Sequence, residues 1–225
     1  MTFGAVFPRV LRPAFGPGLA AVAAGGNWWE TGGATSAVAV YQPKGAASLA
    51  ASYINLANPG TYDAAPGSAP TWDTTNGWIF NGSSQYLLAS YSFTATTTLL
   101  VRAALAPTAG SFRPLVYSVS APSYFGIRSA NANAVQFVYG NTPKVTTASN
   151  LSAGVYGMTS ADGYLNGTLD KSWSDTLGII SSGFSVGATS AGAAFLACTV
   201  QAIAIYDTTL TAPQVAAVSA AMAAL

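Results

Sequence analysis

Asp162-Gly-Tyr-Leu-Asn-Gly167 carries two turn dipeptides, Asp162-Gly163 and Asn166-Gly167, around the apolar pair Tyr164-Leu165. The second residue of each tolerates positive φ, which tight β-hairpins demand. Read outward from here, the chain is a succession of short β-prone runs between Gly, Asn, Pro and Ser. They fall at 37–42, 78–80, 86–89, 97–105, 115–119, 124–128, 134–139, 155–159, 164–165, 184–187 and 195–206. Many short strands with frequent turn signals predict an all-β, antiparallel two-sheet sandwich. The stretch Thr199-Val-Gln-Ala-Ile-Ala-Ile-Tyr206 alternates around Val200, Ile203 and Ile205, imperfectly because small alanines intervene.

Two segments read as helical. Gly45-Ala-Ala-Ser48 and the residues to Ser52 are alanine-rich and suit a short helix. At the C-terminus, Thr211-Ala-Pro-Gln214 fits a capping box with proline in the first turn. Val215, Val218 and Met222 then repeat at spacings of three and four, the stripe of a helix packed on a sheet. The segment 58–76, dense in Pro, Gly, Asp and Thr, is expected to be a long ordered loop. The length of 225 residues suits one domain over 36–225, preceded by an arm over 1–35.

There is no histidine, and Cys198 and Glu30 are the single cysteine and glutamate. A Ser-His-Asp or Cys-His nucleophile needs an imidazole to accept the proton. Zinc sites want several His or Cys ligands. A two-carboxylate glycosidase needs a pair flanking the bond, drawn here from Glu30 and six dispersed aspartates. This inventory predicts a non-enzyme that binds or builds. Gly183-Phe-Ser185-Val-Gly187 matches the nucleophile-elbow pattern but has no histidine to activate Ser185. The sequons at Asn81, Asn150 and Asn166 are expected by chance in so Asn- and Ser-rich a chain.

Charged residues make up 7% of the chain and the net charge is +1. No nucleic-acid footprint follows from eight scattered basic residues. No apolar run reaches the length of a membrane span, and Pro13, Gly16 and Pro17 interrupt the only stretch resembling a secretory signal. A surface so poor in charge has little repulsion to keep it monomeric, so a homo-oligomer or larger assembly is expected. Flat amphipathic rings on loops suit either a sugar face or a subunit interface, and Trp28, Trp29, Tyr62 and Trp72 are the candidates. The metal candidates are Asp162, Asn166 and Asp170 with backbone carbonyls, for calcium; no other cofactor is expected.

Trp78-Ile-Phe-Asn-Gly-Ser-Ser-Gln-Tyr-Leu87, Gly163-Tyr-Leu-Asn-Gly167 and Phe184-Ser-Val-Gly-Ala188 occur in that order. Val200-Gln-Ala-Ile-Ala-Ile-Tyr-Asp207 and Thr209-Leu-Thr-Ala-Pro-Gln-Val215 follow. Together they resemble the strands and terminal helix of concanavalin A-like, laminin G-like jelly rolls, over about residues 36–225. The resemblance implies two packed antiparallel sheets with binding at an edge or on one sheet face. The glucanase Glu-x-Asp-x-x-Glu motif of that family is missing here. Such modules also occur in bacteriophage virions. The resemblance therefore implies a virion surface or decoration protein assembled in the host cytoplasm, partnered by other virion subunits. The alternative it implies is an extracellular or cell-surface carbohydrate-binding module facing a cell-surface glycan.

Overall fold

The computed structural model describes residues 26–105, 112–131, 134–147 and 153–225. Of the expected arm, 1–25 lies outside the described residues. A 3-10 segment, Trp28–Gly33, leads into β1 (Ala37–Tyr41), helix α1 (Leu49–Ser52), β2 (Ala65–Ser68), β3 (Thr71–Asp73), β4 (Gly77–Asn81) and β5 (Tyr86–Ala89). β6 (Thr98–Leu105), β7 (Pro114–Ser120), β8 (Ser123–Asn131), β9 (Ala134–Gly140) and β10 (Thr142–Val145) follow. The chain closes with β11 (Ala153–Met158), β12 (Asp162–Leu165), β13 (Thr168–Ser172), β14 (Phe184–Val186), β15 (Ala197–Tyr206) and helix α2 (Ala212–Ala223).

The strands form two antiparallel sheets. One is eight-stranded, ordered β13-β12-β11-β6-β15-β4-β3 with β1 also on β15; the other is seven-stranded, ordered β10-β9-β8-β7-β14-β5-β2. The expected all-β sandwich with a short C-terminal helix is the architecture observed. Leu99, Val101, Ile203 and Ile205 of the first sheet meet Leu87, Phe125, Phe137 and Phe184 of the second in the central core. Trp78 is fully buried there, and its indole donates to Ser52 Oγ at 2.7 Å.

The imperfect alternation of β15 has a physical cause. A bulge between Val200 and Ala202 shifts the register, so Val200, Ile203 and Ile205 face the core while Ala202, Ala204 and Tyr206 face the other way. On that outer side they pack with Leu100, Val215, Val218 and Met222 beneath α2. This sheet is therefore apolar on both faces. Gln214 Oε1 accepts from the Thr211 N–H at 2.9 Å, the expected reach back to the cap.

Two expectations are corrected. Asp162-Gly163 is not a turn but the start of β12. The reversal lies just before it, where the Thr159 N–H donates to Asp162 O at 2.8 Å. Gly163 is bare because a Cβ there would stand 2.4 Å from the Phe137 ring. The segment 58–76 is also not all loop, since β2 and β3 lie within it. Asn166-Gly167 does form the expected tight turn, with φ of 50° and 79°.

Candidate functional site

Helix α2 and the 3-10 segment cover the outer face of the eight-stranded sheet. The contacts of α2 fall on the 3-10 segment, β6, β11 and β13, and among the described residues no helix packs comparably on the seven-stranded sheet. The outward side chains of that second sheet therefore form a face without a helical cover among the described residues, although Tyr117, Gln136, Val138 and Ser185 on it are buried. Alternation assigns them: Leu87 and Ala89 point inward, so Leu88 points out, and Phe125 and Ile127 point inward, so Tyr124 and Arg128 point out. Tyr117 on β7 pairs with Gly126, and Gln136 on β9 pairs with Arg128, so both share this face.

At the β2-β5-β14 end the face is hollowed into a groove of about 430 Å³, with Asp63, Ala65, Leu88, Ser90, Ser182 and Ser190 among its lining. Asp63 Oδ1 accepts from the Asn55 N–H at 2.8 Å and the Gly60 N–H at 3.2 Å, which fixes the carboxylate at the rim. Ser182 Oγ donates to Val119 O at 2.8 Å. The Tyr41 hydroxyl donates to Tyr62 O nearby. Burial, with the Asp63 charge second, raises the Tyr41 pKa, so it stays a donor.

Further along the face lies a second cluster. The Arg128 Nε donates to Gln136 Oε1 at 2.9 Å and Nη1 reaches Tyr117 OH at 3.5 Å. Its guanidinium sits 4.6 Å from the Phe112 ring centroid and 5.9 Å from that of Tyr117. Tyr117 and Tyr124 stack with centroids 6.2 Å apart. Burial raises the Tyr117 pKa, and the adjacent Arg128 charge pulls against it.

The ring candidates scatter. Trp28 and Trp29 meet edge to face at 5.4 Å on the 3-10 segment, Trp29 buried toward α2 and Trp28 donating to Gln42 Oε1 at 2.8 Å. Trp72 donates to Pro43 O at 2.8 Å, so it and Trp28 flank the same 42–44 stretch. Tyr62, with φ of 60°, sits edge to face with Tyr91 at 5.3 Å beside Asp63 at the groove. The metal candidates are spread along the edge hairpin. Asp162 accepts from Ser172 Oγ at 2.6 Å, Asp170 from the Thr147 N–H at 3.0 Å, and Asn166 Oδ1 from the Val155 N–H at 2.9 Å. Among the described residues no three His, Cys, Asp or Glu side chains gather. The sequence reading missed Tyr117, Tyr124, Arg128 and Gln136 as a group. The alternation Tyr124-Phe-Gly-Ile-Arg128 carries the signal, but only strand register brings Gln136 and Tyr117 to it.

No family model matches the chain, and no curated protein sequence matches it. Solved structures share its fold. Trypanosoma rangeli sialidase in complex with sialic acid is similar at 19% identity and a TM-score of 0.59, over 80% of this chain and 32% of the sialidase. The same sialidase as a covalent intermediate with 2,3-difluorosialic acid gives 17% and 0.62, over 84% and 33%. The botulinum neurotoxin serotype D binding domain gives 11% and 0.62, over 83% and 52%. The chain thus spans about a third of the sialidases and half of the toxin domain. At these identities the likeness shows the fold alone, a two-sheet antiparallel β-sandwich.

The expectation of a non-enzyme is corrected by these neighbours, since sialidases are enzymes. The residue inventory covers only histidine, cysteine and paired carboxylates. Some glycosidases work through a tyrosine nucleophile, so that inventory does not decide the matter.

Proposed function

We propose that the chain is a carbohydrate-binding, lectin-like module whose ligand lies in the groove on the outer face of the seven-stranded sheet. One observation carries this reading: one sheet is sealed by a helix, while the other keeps an outward groove of about 430 Å³ with an apolar floor and a hydroxyl-and-carboxylate rim. A pyranose has the matching character, with C–H faces for Leu88 and hydroxyls for Asp63, Ser90 and Ser190. Pockets that fix a small ligand combine such apolar walls with a few placed polar groups. Glycan binding by a lectin-like fold also agrees with the sialic acid complex of the sialidase neighbour.

The test is a screen of the full chain against immobilised neutral mono- and disaccharides, followed by calorimetry with the strongest. Asp63→Asn keeps the Oδ1 acceptor but removes the charge, and is expected to weaken binding about tenfold, the worth of one charged hydrogen bond. Leu88→Trp fills the groove and is expected to abolish it. Silence across the panel, or full binding by both variants, overturns the reading.

A second reading, a subunit of a larger particle such as a virion surface, rests on the exposed apolar edge. Val145 on β10 and Leu169 on β13 are 45% and 55% exposed. The Thr147–Asp170 bond joins the ends of those two strands. Co-sedimentation of the chain with large assemblies in its native source would favour this reading, and recovery only as a free monomer would reject it.

A further inference from the structure

We propose that Arg128 forms an anion-recognising subsite on the same face, and that its ligand is a carboxylate-bearing saccharide. The inference rests on the glycan-binding reading but on different residues. All seven side-chain carboxylates lie within the described residues, and the ion pair they form there is Lys144–Asp175 at 3.0 Å. Arg128 has none of them as a partner. Among the described residues the other two guanidiniums are tied to backbone carbonyls: Arg102 donates to Met222 O and Arg113 to Phe195 O, each at 2.8 Å. Among the described residues Arg128 is held by neutral groups, the Gln136 amide, the Tyr117 hydroxyl and two rings.

A guanidinium has about five donors, and these contacts engage two of them. The remaining donors form a planar fork, the shape that grips a carboxylate through two parallel bonds. The rings orient the fork without neutralising it, since aromatic faces attract the cation yet leave its charge in place. Phe112 supports a built site. It is 54% exposed and adopts φ of 69°, a left-handed conformation unfavourable for an aromatic residue, and from there its ring reaches Arg128. One fork matches one anionic group, and a net charge of +1 does not suit a polyanionic strand. The exposed Phe112 ring and half-buried Tyr124 offer an apolar surface beside the fork, which suits a sugar ring rather than a free anion.

The experiment titrates the full chain by NMR with glucuronate, glucose, acetate and glucose 6-sulfate. Glucuronate is expected to bind about tenfold more tightly than glucose or acetate, the step one bidentate pair supplies. Arg128→Gln is expected to remove that preference, and Arg128→Lys to remove most of it because an ammonium lacks the fork. Asp63→Asn is expected to leave the preference intact, which separates failure of this subsite from failure of the groove. Equal affinity for glucuronate and glucose, or a preference surviving in both folded Arg128 variants, overturns the proposal. Acetate matching glucuronate reduces the site to a generic anion contact and overturns it. Glucose 6-sulfate matching glucuronate overturns the carboxylate assignment.

Discussion

Gly163 is bare because Phe137 of the opposite sheet occupies the place of a side chain, 2.4 Å from where a Cβ would stand. Gly163→Ala must therefore displace the ring, at about 1–3 kcal/mol for overpacking a filled core. Phe137→Leu opens room beside it, so chemical denaturation of the double variant should show less destabilisation than the two single changes summed. Strict additivity would show that the ring and the glycine do not compete. The same residue marks how far single letters can be read. Asn166-Gly167 was legible as a turn because both residues tolerate positive φ in isolation. Asp162-Gly163 carries the same letters for a different reason, and that reason sits on β9, about 26 residues away in sequence. Arg128 was equally opaque, since its partners Tyr117, Gln136 and Phe112 reach it only through register.

The helix α2 was legible as an element: Pro213 and Gln214 set its start, and Val215, Val218 and Met222 its buried stripe. The 3-10 segment beneath it was not, because tertiary bonds define it. The Tyr206 hydroxyl donates to Trp29 O at 2.6 Å, and Gln214 Nε2 to Gly33 O at 3.1 Å. Likewise β2, Ala65-Pro-Gly-Ser68, has no strand propensity and exists because β5 offers it a ladder. Gly32 is the tightest point of the helix contact, with φ of 68° and a Cβ position 2.7 Å from Ala217 Cβ. Gly32→Ala meets both backbone strain and a clash, and is expected to cost about 2–3 kcal/mol. Thermal melting should register that loss, and limited proteolysis should cut near residue 32 sooner. An unchanged melting temperature would show that this segment is not stapled to α2.

For the molecule as a whole, the titration behaviour follows from what is buried. There is no histidine, so no side chain with an ordinary value near pH 6.5 is present. Burial pushes Tyr156 and Tyr164 up to about 12, with Cys198 and Asp162 respectively as lesser causes, and burial raises Cys198, Tyr41 and Tyr206 as well. These are acids whose folded pKa lies above the unfolded value. Their contribution is complete below the ordinary values of 9.0 and 10.0 and is lost as pH rises toward 12. On the acid side, Asn76 beside Asp73 and Lys144 beside Asp175 lower those carboxyl pKa values, a contribution present above 3.8 and lost as pH falls through the folded values. Both sit at the surface, and salt screens the Lys144–Asp175 share of the acid effect. The melting temperature is thus expected to be level from about pH 5 to 8 and to fall steeply beyond pH 9, with phenolate absorbance rising in step with unfolding. A step near neutrality would contradict it. The sealed sheet carries one further implication. Residues 28–33 and the final helix lie together on it, with Leu225 packed alongside, while the groove and Arg128 look out from the opposite side. A polypeptide joined after Leu225 would leave from the back of the sandwich. The molecule could then be tethered to a bead, a cell or a partner domain by that end with its binding face turned outward and unobstructed.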